Sequence, residues 1–149
     1  MENVERLAFG PVPSRRLGKS LGVNNILPKH CTYSCVYCQV GKNTEHAINR
    51  KFFHSPENIL IAVKNKLNKA KMKNETVNYI TLVSDGEPTL DMNLGKIVSS
   101  LKQTNLPVAV LTNASLLWMP EVQEDLLSAD YVSLKVDAIS EYLWKKVDR

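Results

Sequence analysis

Cys31, Cys35 and Cys38 are the only cysteines in the chain, and all three lie in the nine-residue stretch His30-Cys31-Thr32-Tyr33-Ser34-Cys35-Val36-Tyr37-Cys38. Three thiols this close cannot all pair as disulfides, so their chemistry is metal binding or redox exchange. A structural zinc takes four ligands, usually from two separated pairs. Here there is one cluster, and His30, His46 or His54 would have to supply the fourth ligand. A thioredoxin-type pair accounts for Cys35-Val36-Tyr37-Cys38 but leaves Cys31 unused. The C-x3-C-x2-C spacing suits three corners of a cubane 4Fe–4S cluster, whose fourth iron then has no protein ligand and is open to a small molecule.

The elements that must position these thiols follow from pattern. Phe9 to Gly18 is dense in Gly, Pro and Arg and is predicted to be an ordered loop. Its adjacent Arg15 and Arg16 are suited to clamping a phosphate or carboxylate, or are simply a solvated surface turn. Ser20 to Leu27 reads as a strand leading straight into the cysteines, and the polar run from Gln39 to His54 as a loop or a short irregular helix. Ser55-Pro56-Glu57 is a helix start, with Leu60, Val63, Leu67 and Ala70 on one face and lysines crowding the second half to Lys73. Those lysines read as a solvated helix face in preference to a nucleic-acid patch.

Strands then alternate with helices. Val77 to Val83, Pro107 to Thr112 and Tyr131 to Val136 are the strands. Between and after them come helices carrying Leu94, Ile97, Val98 and Leu101, then Val122 and Leu126, then Leu143, Trp144 and Val147. This order predicts an α/β fold with a parallel sheet, in which ligands gather at the carboxyl ends of the strands. The cysteines, Ser84-Asp85-Gly86-Glu87-Pro88-Thr89, Asn113, and Lys135 with Asp137 all fall at such ends.

Composition bounds the rest. A chain of 149 residues, 44% hydrophobic and 23% charged, has the makings of one soluble globular core. No run approaches the ~20 apolar residues of a membrane span, and the opening residues lack the order of a signal peptide, so a cytoplasmic protein without membrane contact is expected. The net charge of +4 suits an anionic partner without requiring one.

Cys31-x3-Cys35-x-Tyr37-Cys38 resembles the signature of the radical S-adenosylmethionine (radical SAM) superfamily, and Gly86-Glu87-Pro88 after a strand is similar to its second motif. The resemblance implies an oxidoreductase-type enzyme. Cys31, Cys35 and Cys38 would hold a 4Fe–4S cluster, and S-adenosylmethionine would chelate the open iron and be cleaved reductively to a 5′-deoxyadenosyl radical that abstracts a substrate hydrogen. It also implies that the Tyr37 backbone contacts adenine and that Gly86, Glu87 and Pro88 receive the methionine amino group. Lys135 and Asp137 would lie at the ribose or methionine carboxylate, with Asn113 nearby. A turn, a helix cap and a snorkelling surface lysine are the plain alternatives for Glu87-Pro88, Asn113 and Lys135.

Gly10-Pro11-Val12-Pro13-Ser14-Arg15-Arg16-Leu17-Gly18 and Ser84-Asp85-Gly86-Glu87-Pro88-Thr89-Leu90 resemble a branch of small iron–sulfur oxidoreductases related to the wyosine-type enzymes that modify transfer RNA. That relationship implies a transfer RNA or a small molecule as substrate and a flavodoxin- or ferredoxin-type reductant. The superfamily barrel has six strand–helix units, and residues 1–149 supply about four, a partial (βα) barrel that reads as a core domain truncated on its C-terminal side. Its last strand would then be an open apolar edge, with self-association as the expected result. The competing expectation is a non-catalytic zinc or iron–sulfur domain, or an inactive remnant, which would bind metal without cleaving the cofactor.

Overall fold

The structure is a computed structural model that describes residues 4–43 and 45–148. Strand β1 (Ala8–Ser14) turns back at Arg15-Arg16-Leu17 to pair antiparallel with β2 (Gly18–Val23). Two-residue strands β3 (His30–Cys31) and β4 (Glu45–His46) pair beside the cysteine loop. Helix α1 (Pro56–Met72), β5 (Tyr79–Leu82), α2 (Leu94–Leu101), β6 (Val108–Thr112), α3 (Pro120–Leu127), β7 (Tyr131–Leu134) and α4 (Glu141–Asp148) complete the chain. The sheet order is β1-β2-β5-β6-β7, parallel from β2 onward. The predicted α/β class and partial parallel sheet therefore stand, with one antiparallel strand added.

That strand corrects the expectation of a loop over residues 9–18. Pro11 and Pro13 cannot donate to a ladder, but β1 is the outer strand and needs partners on one side only. A register shift between Phe9 and Val12 takes up the irregularity. The predicted strand from Ser20 to Leu27 is also shorter than expected. It leaves the ladder after Val23 because the side chains of Asn24 and Asn25 bond across to the loop that follows β5.

Alternation in the strands separates two faces. Leu21, Val23, Ile80, Leu82, Val108 and Val110 point to a buried core, where Ile59, Val63, Ile97, Val98, Leu101 and Val122 meet them from α1, α2 and α3. Each such side chain contributes about 2 kcal/mol on leaving water. The Ser55 hydroxyl caps α1 by accepting from Asn58 N at 3.1 Å, as the Ser-Pro start predicts. Its inward face is turned slightly from the predicted one: Ile59 and Ala62 join Val63 and Ala70 in the core, while Leu60 and Leu67 pack at the margin.

The opposite face carries Ser20, Thr81, Leu111, Tyr131 and Ser133, and α1, α2 and α3 all pack on the other side. Helix α4 does not pack on the sheet. Trp144 meets Tyr33 edge-on at 5.4 Å, Val147 O accepts from Val36 N at 2.9 Å, and Leu143 is left exposed. It lies instead over the cysteine loop.

Candidate functional site

The loop after β5 fixes where the cysteine loop begins. Asn24 and Asp85 bond reciprocally, Asn24 Nδ2 to Asp85 Oδ2 at 2.8 Å and Asp85 N to Asn24 Oδ1 at 3.0 Å. Buried Asn25 donates to Pro88 O at 3.1 Å and to Asp91 Oδ2 at 3.2 Å, and accepts from Ser84 Oγ at 2.5 Å. Lys29 N donates to Asp85 O at 2.8 Å and Glu87 N to His30 O at 3.0 Å. At Gly86 the backbones approach so closely that any Cβ would overlap the His30 carbonyl oxygen, so only glycine fits. Asp85 is fixed in this turn by its pair of bonds to Asn24.

Glu87 is 1% exposed and its carboxylate is enclosed by donors. Thr89 N, Thr89 Oγ1 and Thr112 Oγ1 reach Oε1 at 3.1, 2.6 and 2.5 Å, and Asn113 N reaches Oε2 at 2.8 Å. Burial pushes its acid equilibrium upward against these bonds, which favour the ionised form. Glu87 thus ties the end of β5 to the end of β6. From there Asn113 Nδ2 donates to Thr32 Oγ1 at 2.9 Å and approaches Cys31 Sγ at 3.6 Å, while Asn43 Nδ2 holds the Tyr33 carbonyl. Burial pushes the Cys31 thiol up as well.

The other side of the loop is ionic. Lys135 Nζ donates to Cys35 Sγ at 3.2 Å, Asp137 Oδ2 at 2.8 Å and Asp148 Oδ1 at 3.2 Å, and stands 4.8 Å from the centre of the Tyr37 ring. The Cys35 thiol donates to Asp148 Oδ1 at 3.1 Å, and the Tyr37 hydroxyl bonds Asp137. Burial opposes the Lys135 charge, but its bonds to Asp137, Tyr37 and Cys35 prevail and hold the ammonium above its usual range. Tyr37 is pushed up to about 12, by burial first and then by its bond to Asp137. For Asp137 burial is again outweighed, here by Lys135 and Tyr37, and the carboxyl lies below its usual range.

These residues enclose a cavity of about 540 Å³. Cys31, Cys35, Cys38 and Tyr37 line it together with Gly86, Glu87, Asn113 and Lys135, so the predicted residues converge with two exceptions. Pro88 is buried outside the lining, and Asp137 lies in the neighbouring hollow with Trp144 and Asp148. None of His30, His46 and His54 lines the cavity, and among the described residues no three His, Cys, Asp or Glu side chains stand together as a site for one metal ion. A cubane cluster does not require such convergence, because each thiolate takes a different iron. Three soft thiolate donors on one cavity wall, with no histidine among its described lining residues, suit a cluster that takes one thiolate at each of three irons.

Asp148 is the site residue that sequence reasoning missed. One signal pointed to it: an acid in the last turn of a helix opposes the helix dipole, so its place there needs another reason. Arg16, noticed in the sequence as half of an anion clamp, also lines the cavity.

The strand-end cavity and its three-cysteine loop define a superfamily. The chain belongs to the Radical SAM superfamily, whose model matches residues 25–149. It is 50% identical over 143 residues to the UPF0026 protein MJ1312 of Methanocaldococcus jannaschii, covering 96% of this chain and 44% of that protein. Among solved structures, TYW1 with a lysine-pyruvate adduct bound superposes with a TM-score of 0.61 at 15% identity, over 87% of this chain and 45% of TYW1. Streptococcus suis SuiB bound to S-adenosylmethionine superposes with a TM-score of 0.54 at 16% identity, over 81% of this chain and 26% of SuiB. At those identities the two structures attest the fold. The chain spans less than half the length of each of these three proteins. No helix among the described residues is long and apolar enough to cross a membrane.

Proposed function

We propose that this chain is the cofactor-binding part of a radical SAM enzyme, in which Cys31, Cys35 and Cys38 hold a 4Fe–4S cluster and S-adenosylmethionine fills the remainder of the 540 Å³ cavity. The observation that carries this reading is the shared lining: the three thiols, Gly86, Asn113 and Lys135 face one space at the carboxyl ends of the strands. When bound, the cluster and S-adenosylmethionine would supply one-electron cleavage of the sulfonium and hydrogen abstraction from a substrate, chemistry beyond protein side chains.

The residues around the cavity divide the remaining work. The Glu87 carboxylate is consumed by Thr89, Thr112 and Asn113, and its backbone carbonyl accepts from Leu90 N at 3.2 Å, so the contribution of this segment to a methionine amino group falls to the Gly86 carbonyl. Lys135 is held as an ammonium and is suited to a carboxylate or a ribose hydroxyl, with Asp137 fixing its direction. Tyr37 presents its backbone beside Cys38 for an adenine edge, and Asn113 reaches the same wall from β6. A flavodoxin- or ferredoxin-type protein is the matching electron donor, and the substrate is a transfer RNA or a small molecule.

Anaerobic reconstitution followed by measurement of 5′-deoxyadenosine under reduction tests the reading. A brown protein that releases 5′-deoxyadenosine is expected, with both properties lost in Cys35→Ala. Stoichiometric metal without cofactor cleavage would identify a non-catalytic metal-binding domain instead.

A further inference from the structure

The cavity at the cysteines adjoins a second one of about 440 Å³, and Arg16, Leu111 and Ser133 line both. Its polar groups are the guanidiniums of Arg15 and Arg16 and the hydroxyls of Ser14, Tyr131 and Ser133, and no carboxylate is among them. Neither guanidinium has a hydrogen bond or ion pair among the described residues. Arg50 shows the contrast, since it is spent on Thr89 O, Asp91 O and Asp125.

The turn that presents the two arginines is anchored at both ends. Leu17 is buried and its N–H donates to Ser14 Oγ at 3.3 Å, while Lys19 N donates to Asn78 Oδ1 at 2.8 Å. A fixed turn with two unspent forks of donors beside hydroxyls, facing a space without acids, has the chemistry of an oxyanion receptor.

We infer that Arg15 and Arg16, with Tyr131 and Ser133, form a subsite for an oxyanion on the substrate, a phosphate or a carboxylate. Tyr131 opens β7 and Lys135 follows its last residue, four positions on, about 13 Å along an extended chain. The oxyanion is therefore a handle remote from the carbon that reacts at the cysteine end, and its binding energy positions that carbon. Naming the occupant a substrate rests on the function proposed above; the subsite itself does not.

Isothermal titration of the full chain, without cluster or cofactor, separates the two. Saturable binding of inorganic phosphate marks a phosphate handle, and saturable binding of acetate marks a carboxylate handle. The bound anion should weaken at least tenfold in Arg15→Ala/Arg16→Ala and not in Lys64→Ala, which alters an exposed residue of α1. Both arginines are exposed, so the double variant should retain its circular dichroism and melting transition. Phenylglyoxal labelling read by mass spectrometry should show Arg15 and Arg16 protected by the same anion. No saturable binding of either probe, or equal binding by the double variant, overturns the subsite. Displacement of the anion by S-adenosylmethionine would give the arginines to the cofactor and overturn the assignment to substrate. A chain that binds phosphate through these arginines yet never releases 5′-deoxyadenosine would refute the radical chemistry and leave the subsite standing.

Discussion

Asn25, Ser84, Gly86 and Asp91 hold the start of the cysteine loop through largely buried contacts in which backbone groups take a large part, whereas Lys135, Asp137 and Asp148 hold its far side through charges. The first set joins two neighbouring interior strands, β2 and β5. The second comes from the outer strand β7 and the helix beyond it, and Lys135 is 34% exposed. Cys31 is thus placed by the same contacts that fold the sheet, while Cys35 and Tyr37 are placed by ionic contacts that water and salt can compete for. One half of the loop's support is built into the core, and the other stands at the margin of the sheet.

Substitutions at Gly86, Asp91 and Asp148 probe the difference between the two sides. The largest effect is expected from Gly86→Ala, where a methyl group meets the His30 carbonyl and the two backbones must part. A loss of about 3 kcal/mol in urea unfolding is expected, at the upper end for an overpacked site. A loss below about 1 kcal/mol would show that the buried side gives way easily.

Asp91 tests the same side through pH. Burial, against its bonds from Asn93 and Asn25, raises the carboxyl from 3.8 to about 6. Its neutral form is favoured in the folded protein, so this contribution is complete below pH 4 and is lost as pH rises through about 6. A two-unit shift corresponds to at most about 3 kcal/mol between those limits. Denaturant unfolding at pH 4 and pH 8 should show this fall in the native chain and a smaller one in Asp91→Asn.

The smallest effect belongs to the ionic side. Asp148→Asn should cost about 1–2 kcal/mol in global stability, because Asp148 is buried but the variant amide still accepts a hydrogen bond and Lys135 keeps Asp137. It should nevertheless accelerate amide hydrogen exchange in residues 141–148 and 35–38, because the Cys35 and Lys135 contacts to α4 are weakened together. Global destabilisation as large as that of Gly86→Ala would erase the distinction between the two sides.

The buried side was the more legible one in the sequence. Ser55-Pro56 sets the start of α1, the Leu94, Ile97, Val98 and Leu101 spacing gives α2, and short apolar runs locate β5 and β6. Gly86-Glu87-Pro88 marked a site, although the reason for its glycine, a carbonyl 56 positions earlier, is visible only in three dimensions. Strand β1 was hidden because prolines normally argue against a strand, and only its outer position makes them tolerable. Helix α4 was recognised, but its periodicity could not say what it would lie against. That the buried residue at its end is Asp148, beside a thiol 113 positions away, depends on a contact no local pattern encodes.

The prolines of β1 have a further consequence for assembly. One margin of the sheet ends in Pro11 and Pro13, which cannot extend a ladder outward; the other ends in β7, with Leu134 and Val136 exposed. Growth of the sheet is therefore one-sided. Among the described residues, a further strand, from this chain or from another, has its place at β7.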